Sequence, residues 1–267
     1  VAALQFNSPV LAILFAMIFG ALSALIYAFL TVSLKANQNV TGLTLSVFGM
    51  GVANFIGEKL STQSSVPLIV SSELTSKLVP NGIPFLSKIP VIGEILFKHS
   101  ILSYMAIICA VLLHIYLNKT RIGLNLRAIG ENPAAADAMG VNVDKYKYCN
   151  IVLGGALCGL GGAYISLVTC VGNWQPNIVG GQGWIALALV IFSSWKPLRA
   201  IFGSLVFGAL SVLRLYIPKS LIDIPGAFFT MLPFIVTCLV LIISSIKMKK
   251  ENQQPKACGV NYFREER

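Results

Sequence analysis

Long apolar segments separated by short polar ones dominate this chain. Seven of them stand out, and they cover residues 10–33, 41–57, 100–117, 148–171, 184–195, 200–217 and 226–246. Most approach or exceed the about 20 residues that an α-helix needs to cross a bilayer. The pattern predicts an all-α fold, a polytopic transmembrane helical bundle with about seven spans in this chain.

The polar segments divide the chain into a membrane domain, residues 1–246, and a polar tail, residues 247–267. A first long loop, residues 58–99, has four prolines and is not expected to form one helix. A second, residues 118–147, is hydrophilic and is expected to hold short helices.

The fifth apolar segment is shorter than the others. Residues 184–195 would form a helix of only about 18 Å, which is less than the about 30 Å of the hydrocarbon core. Gly180, Gly181 and Gly183 lie directly before it. The segment is either a half-helix completed by this irregular stretch or a short span.

Composition and charge agree with a membrane location. The chain is 56% hydrophobic and 11% charged, with a mean hydropathy of +0.79 and a net charge of +10. Soluble domains have about 25% charged residues. No basic patch with interleaved aromatic residues suggests nucleic-acid binding, whereas positive cytoplasmic loops are the general rule for membrane proteins. We therefore expect the lipid bilayer, and no nucleic acid, as a partner.

The positive charges also predict an orientation. If residues 118–147 are cytoplasmic and all seven segments cross, fourteen Lys and Arg residues lie inside and six outside. If the fifth segment looped back instead, the cluster at residues 247–250 would lie outside, against the rule. We expect the start of this chain and the loop at 58–99 to be extracytoplasmic, and the tail to be cytoplasmic.

Two short, capped helices are predicted in the loop at 118–147. Thr120 is a suitable N-cap for the first, whose apolar residues Ile122, Leu126 and Ile129 recur with helical spacing. Gly130 is placed to end it. The alternative is a plain turn without a helical role.

The second predicted helix is made almost entirely of small residues. Asn132 is a strong N-cap and Pro133 suits the first helical position, while Gly140 is expected to end the helix. The alanines between them favour a helix and add little bulk. Such a helix fits deep into a groove of a partner, with Glu131 and Asp137 providing charge.

Other patterns indicate packing rather than chemistry. Five glycines in the fourth segment, Gly154, Gly155, Gly159, Gly161 and Gly162, are expected to let membrane helices approach closely. The six cysteines have no metal-binding spacing, and neither His99 nor His114 has a ligand partner nearby. No metal site is expected.

Several stretches together resemble a known family. Residues 127–143, RAIGENPAAADAMGVNV, closely resemble the coupling loop of permease subunits of bacterial ABC importers for ribose-type sugars and nucleosides. Residues 35–43, 89–93, 153–164 and 183–188 resemble the nucleoside branch. The chain departs from the family at Gln182, where Arg is common, at Trp184, where Phe is common, and in the tail at residues 259–262.

The resemblance implies a machine with several subunits. The chain has no GxxxxGK[ST] motif, so it binds no cofactor, and ATP and Mg belong to a partner ATP-binding subunit. The implied partners also include a second, different permease and an extracytoplasmic substrate-binding lipoprotein, in a bacterial inner membrane. The residues implied in ATPase coupling are Gly130, Glu131, Asn132, Pro133, Ala135, Ala136, Asp137 and Gly140.

Two other function classes remain open. An ion-coupled secondary transporter needs ionisable groups in its spans, and none of the seven segments has Asp, Glu or Lys in its central part. A sodium site of backbone carbonyls is still compatible with the sequence. A non-transporting scaffold subunit is the other alternative.

The residues that contact substrate are the least specific part of the prediction. Polar residues at membrane depth are candidates, and a tryptophan can stack on a nucleobase. The alternatives are helix capping for the residues at 37–39 and an interfacial aromatic belt for the tryptophans. The candidates are Asn37, Gln38, Asn39, Asn54, Trp174, Gln182 and Trp184.

Overall fold

The computed structural model of the chain describes residues 2–64, 69–71, 75–76, 78, 99–216, 226–247 and 254–263. Most of the loop predicted at 58–99 and about half of the predicted tail at 247–267 lie outside the described residues. Within them, every named element is helical. The helices are α1 (Ala2–Phe6), α2 (Pro9–Ala28), α3 (Gln38–Ser64), α4 (Ile101–Lys119), α5 (Arg121–Glu131), α6 (Pro133–Ala138), α7 (Val143–Tyr164), α8 (Gln182–Phe192), α9 (Pro197–Tyr216) and α10 (Gly226–Lys247).

The predicted all-α membrane bundle is confirmed. Each of the seven predicted segments contains a helix, and four helical stretches have the length and apolarity of a membrane span. Only 6% to 11% of the most apolar part of these four is buried within the chain, so their apolar side chains face outward, as in a protein surrounded by lipid. The four are Pro9–Ser33, Gln38–Thr62, Ile101–Lys119 and Val143–Thr169, and the shorter apolar helices are Gln182–Phe192, Pro197–Val212 and Met231–Ile242.

The chain forms two compact units. The first comprises Val1–Ala106, Ala128–Gly180 and Ala257–Arg267, and the second comprises Ile107–Arg127 and Gly181–Lys256. The first contains α2, α3, α6 and α7 and residues 257–263 of the tail. The second contains α8, α9 and α10.

Glycines bring α2 and α7 together in the first unit. A Cβ atom at Gly20, Gly155 or Gly159 would lie less than 3.0 Å from the facing helix, so only glycine allows these backbones to approach so closely. The predicted packing role holds for two of the five glycines in the fourth segment. Gly154, Gly161 and Gly162 would place a Cβ with nothing within 4 Å.

Helices in the first unit extend beyond the apolar segments. α3 continues to Ser64 rather than ending near residue 57, and α7 begins at Val143 rather than at residue 148. Asn142 caps α7, because its Oδ1 accepts a hydrogen bond from the Lys145 amide at 3.0 Å. A helix continues while its backbone groups are paired, whereas hydropathy marks only the part in lipid. The hydrophilic loop predicted at 118–147 therefore includes the first turn of α7.

Aromatic and aliphatic side chains hold the second unit together. A Cβ at Gly203 of α9 would lie 2.8 Å from Leu189 of α8. The rings of Phe192 and Phe207 meet edge to face with centroids 5.4 Å apart. The break predicted before the fifth segment is present, because Gly180 and Gly181 have φ of +49° and +80° and α8 begins directly after them.

Candidate functional site

Three successive caps shape the candidate coupling region. Thr120 Oγ1 accepts from the Gly123 amide at 3.0 Å, and Asn132 Oδ1 accepts from the Ala135 amide at 3.1 Å. Together with Asn142 they start α5, α6 and α7. Pro133 is the first residue of α6, as predicted, and Gly140, two residues after the end of α6, has φ +82°. This part of the local prediction is confirmed.

The predicted role of Gly130 as the end of α5 is wrong. α5 continues through Gly130 to Glu131, and Gly130 does not have the positive φ of a helix-ending glycine. Asn132, with φ −150° and ψ 94°, makes the break between α5 and α6 instead. An N-cap residue needs an extended backbone, so the cap of α6 also sets where α5 stops.

One side of α6 is buried. Ala136 is 5% exposed and packs with Ile129 and Val143, each 3% exposed. The small alanine lets the helix backbone lie close to this cluster. Val141, Tyr146 and Tyr262 complete it. α6 is therefore seated on a hydrophobic base rather than free in the loop.

The opposite side of α6 is open. Glu131, Asn132, Ala135 and Ala138 are exposed, and Met139 is 84% exposed. Sequence reasoning missed Met139, although it stood inside the recognised stretch. The signal was an unbranched apolar residue directly before the glycine that ends a polar-loop helix, where burial inside the chain is not possible.

Asp137 contacts the tail. Its Oδ2 accepts a hydrogen bond from the Tyr262 hydroxyl at 2.9 Å, and the Ala257 amide donates to the Gly130 carbonyl at 2.9 Å. Asp137 and Tyr262 also line a cavity of about 560 Å³ with Lys35 and Asp144. The Lys35 ammonium lies 3.6 Å from the Asp144 carboxylate. The cavity wall thus has two carboxylates and one cation.

The polar residues at 37–39 lie at the start of α3, with Asn37 directly before the helix and Gln38 and Asn39 as its first two residues. Asn37 Oδ1 accepts from the amides of Asn39 and Val40 at 3.0 and 3.2 Å, which is the capping alternative of the prediction. Gln38 Nε2 donates to the Val260 carbonyl and to Asn261 Oδ1, both at 3.3 Å. Their contact with substrate stays a prediction, and the contacts described here are to the chain itself.

A second group of candidates meets at the other end of the first unit. The Asn54 and Asn177 side chains pair, with Asn54 Nδ2 donating to Asn177 Oδ1 at 3.0 Å. The Asn177 amide also donates to Asn54 Oδ1 at 3.3 Å. The Trp174 indole lies against Gly57, where a Cβ would collide with it. Asn54 is thus paired, and Trp174 lies beside it one turn along α3.

The remaining two candidates belong to the second unit. Gln182 is the first residue of α8 and is exposed. Trp184 is 59% exposed. That Gln182 and Trp184 line the substrate pathway stays a prediction.

The contacts of residues 173–177 and those of residues 257–263 lie at opposite ends of one long helical stretch, which matters for the orientation of the chain in the membrane. Residues 173–177 follow the end of the helical stretch Val143–Thr169, and residues 257–263 lie near its beginning. If this stretch crosses the membrane, the chain between these two segments crosses an odd number of times. The crossing of the fifth, sixth and seventh segments stays a prediction.

Comparison with known families decides the class of protein. The family described as branched-chain amino acid transport system, permease component, matches residues 1–241. The chain belongs to this permease family.

Three curated relatives of the permease are named as ABC transporter permease proteins. The nucleoside ABC transporter permease protein NupC of Lactococcus lactis subsp. cremoris (strain MG1363) is 37% identical over 96% of this chain and 78% of its own length. The guanosine ABC transporter permease protein NupQ of Bacillus subtilis (strain 168) is 35% identical over 97% of this chain and 79% of its own. The putative glucose ABC transporter permease protein TsgC13 of Haloferax volcanii is 35% identical over 73% and 57%. No solved structure matches the permease.

Membership of the family fits the outward-facing apolar helices. The permease is a multi-pass membrane protein and a transport subunit of the ABC class. Its exposed aromatic and aliphatic side chains lie along α2, α3 and α4, where lipid or another subunit covers them. The polar contacts at the two ends of the first unit are thus the places where a transport role has to be sought.

Proposed function

We propose that this chain is the permease subunit of an importer for nucleosides, driven by ATP hydrolysis on a separate ATP-binding subunit. The ATP-binding subunit docks on α6. The observation on which this rests is the two-sided character of that helix. One side is fixed on the buried cluster of Ile129, Ala136 and Val143, and the other presents small residues and Met139 to solvent.

Such a helix suits the transfer of force. Because its base is packed, a partner that moves α6 also moves the starting turn of α7 at Val143. Because its outer side is almost free of bulk, a groove can enclose it closely. Met139, which is 84% exposed, supplies an apolar anchor of the kind enriched in protein interfaces.

Nucleosides are the proposed cargo. Two relatives that cover nearly the whole chain are named for nucleoside and guanosine transport, and a third, matching less of it, for glucose. The Asn54–Asn177 pair and Trp174 offer amide groups and an indole ring in one place. Amides can hydrogen-bond a base or a sugar, and an indole can stack on a base.

The proposed assembly contains further subunits. A second permease is inferred because the chain is 27% identical to NupB as well as 37% identical to NupC, both of the same Lactococcus strain. A substrate-binding lipoprotein would deliver the nucleoside from outside. We place the complex in a bacterial inner membrane, with α6 and the tail on the cytoplasmic side.

Uptake by reconstituted vesicles tests the proposal. The chain is purified with the subunits encoded beside it and reconstituted into lipid vesicles. ATP is enclosed on the side of the membrane where the ATP-binding subunit lies, and uptake of labelled uridine, guanosine and ribose is measured. We expect nucleoside uptake that needs ATP, exceeds ribose uptake and survives a protonophore. The purified chain alone should hydrolyse no ATP.

The same vesicles separate this proposal from an ion-coupled carrier. Uptake without the ATP-binding subunit, driven by an imposed proton or sodium gradient, would contradict the proposed drive. ATP-dependent uptake of ribose in preference to nucleosides would contradict only the cargo.

A further inference from the structure

The last described segment of the chain returns to the first unit and contacts two separate elements there. Residues 257–263, which we call the tail clamp, begin with the Ala257 amide donating to the Gly130 carbonyl at 2.9 Å. A turn follows in which Gly259 has φ +82° and the Val260 amide donates to the Ala257 carbonyl at 3.3 Å. The turn directs the next residues across the first unit.

Tyr262 fixes the tail clamp to α6. Its ring packs against the cluster of Ile129, Ala136 and Val143, and its hydroxyl donates to Asp137 Oδ2 at 2.9 Å. A hydrogen bond to a carboxylate is stronger than one between neutral groups. Both the buried side of α6 and its charged residue are therefore held by one tyrosine.

Asn261 fixes the same segment to the turn between α2 and α3. Its Nδ2 donates to the carbonyls of Lys35 and Ala36 at 2.5 and 3.2 Å, and its Oδ1 accepts from Gln38 Nε2 at 3.3 Å. Lys35 has φ +53°, a conformation that costs energy for a residue with a side chain. The asparagine thus pairs the carbonyls of a strained turn.

The two contacts are one residue apart in non-helical backbone. Asn261 and Tyr262 are adjacent, and their side chains reach different elements of the first unit. Lys35 adds a weak link from the same turn to the start of α7, through Asp144 at 3.6 Å. A displacement of α6 would therefore also displace the turn between α2 and α3.

We propose that the tail clamp couples α6 mechanically to the turn between α2 and α3, and so to the two spans that this turn joins. Tyr262 and Asn261 are positioning residues, and Asp137 is the point where α6 is held. The inference rests on the proposed function for its role in transport, in which movement of α6 by the ATP-binding subunit would shift α2 and α3. The contact itself is independent of that function.

Hydrogen exchange on the purified full chain tests the contact. Tyr262→Phe keeps the ring in its cluster and removes only the hydroxyl, and Asn261→Ala removes the amide. If the clamp connects the two elements, each variant speeds amide exchange by about twofold or more both at 134–139 and at 37–41, since loss of even a neutral hydrogen bond is worth about that factor. Val260→Ala is the matched control, because it keeps the backbone carbonyl that Gln38 contacts. Exchange that rises only beside each altered residue would overturn the proposal.

The transport role is measured in the reconstituted complex as nucleoside moved per ATP hydrolysed. We expect Tyr262→Phe and Asn261→Ala to lower this ratio about fivefold or more, with the ATP hydrolysis rate kept. Asp137→Ala should add little to Tyr262→Phe, since both remove the same hydrogen bond. A ratio equal to that of Val260→Ala would overturn the transport role. If the unaltered complex shows no ATP-driven uptake, the proposed function fails, and the exchange experiment still decides the clamp.

Discussion

The two ends of the first unit are held together in different ways. The loop end, formed by α6, the turn at 35–38 and the tail clamp, is built from caps that bond an amide three residues away and from contacts with the tail. The connector end, formed by residues 54–57 and 173–177, is held by a pair of asparagines 123 positions apart and by an indole on a glycine. The first is a set of locally encoded helices, whereas the second depends wholly on long-range contact.

The difference matters for how each end can move. Capped helices move as whole pieces, since their backbone groups are paired internally. The loop end is thus suited to receive a push from a partner. The connector end is held by two side-chain hydrogen bonds, one ring contact and a backbone bridge between Ile69 and Asn173, so its opening would break contacts between residues far apart in the sequence.

Reversing the charge of Asp137 should have the largest effect. Asp137→Lys removes the acceptor of the Tyr262 hydroxyl and places a second cation in the cavity that Lys35 lines. Loss of a hydrogen bond to a charged group costs about 1.5–3 kcal/mol, and the new repulsion adds to it. We expect nucleoside uptake to fall at least about thirtyfold while the protein stays in the membrane, as measured by vesicle uptake and immunoblotting.

Asp144→Lys is the matched control for that variant, because it makes the same change of charge in the same cavity. Asp144 lines the same cavity, but its ion pair with Lys35 is 3.6 Å long and its side chain is 62% exposed, so the pair is worth about 0–1 kcal/mol. Uptake by this variant should stay within about threefold of the original. Equal losses in the two variants would show that the cavity charge matters, and not the contact with the tail.

Replacing Gly140 should have the next largest effect. Its φ of +82° strains any β-branched residue, at a cost of about 1–3 kcal/mol. Gly140→Val should therefore shift the end of α6 and lower ATP-driven uptake about tenfold, with the protein still in the membrane. Gly140→Asn is the control, because asparagine tolerates this conformation, and it should keep most of the activity. If Gly140→Val were fully active, the proposal that the loop end couples ATP hydrolysis to transport would be contradicted.

The same comparison shows how much the sequence predicts. The caps at Asn132 and Thr120 and the end at Gly140 depend on neighbouring residues, so they were predictable. Gly130 was misplaced because Asn132 determines the helix break, and a glycine alone does not require a positive φ. The partner of Asn54 could not be predicted, because nothing in the residues around it indicates a side chain 123 positions away. The tail contacts of Asp137 were missed for the same reason.

At the connector end, filling the space beside Trp174 should have an intermediate effect. A Cβ at Gly57 would collide with the indole, and overpacking costs about 1–3 kcal/mol. Gly57→Val should displace Trp174 and make its indole more accessible, which is measured as stronger quenching of tryptophan fluorescence by iodide. Nucleoside uptake should fall about fivefold. Gly51→Val is the control, since a Cβ there meets nothing within 4 Å. The rate of ATP hydrolysis by the complex should be unchanged.

Breaking the asparagine pair should have the smallest effect and the most specific one. Asn54→Ala removes both side-chain hydrogen bonds to Asn177, and each neutral bond at a half-exposed site is worth about 1 kcal/mol or less. Stability should therefore change little. If Asn54 also contacts the cargo, the KM for nucleoside should rise about threefold to fivefold at constant maximal uptake, and Asn177→Ala should not reproduce the shift. If both alanine variants change maximal uptake equally and do not change KM, the Asn54–Asn177 pair only fixes α3 to the connector. The prediction that Asn54 contacts substrate would then be contradicted.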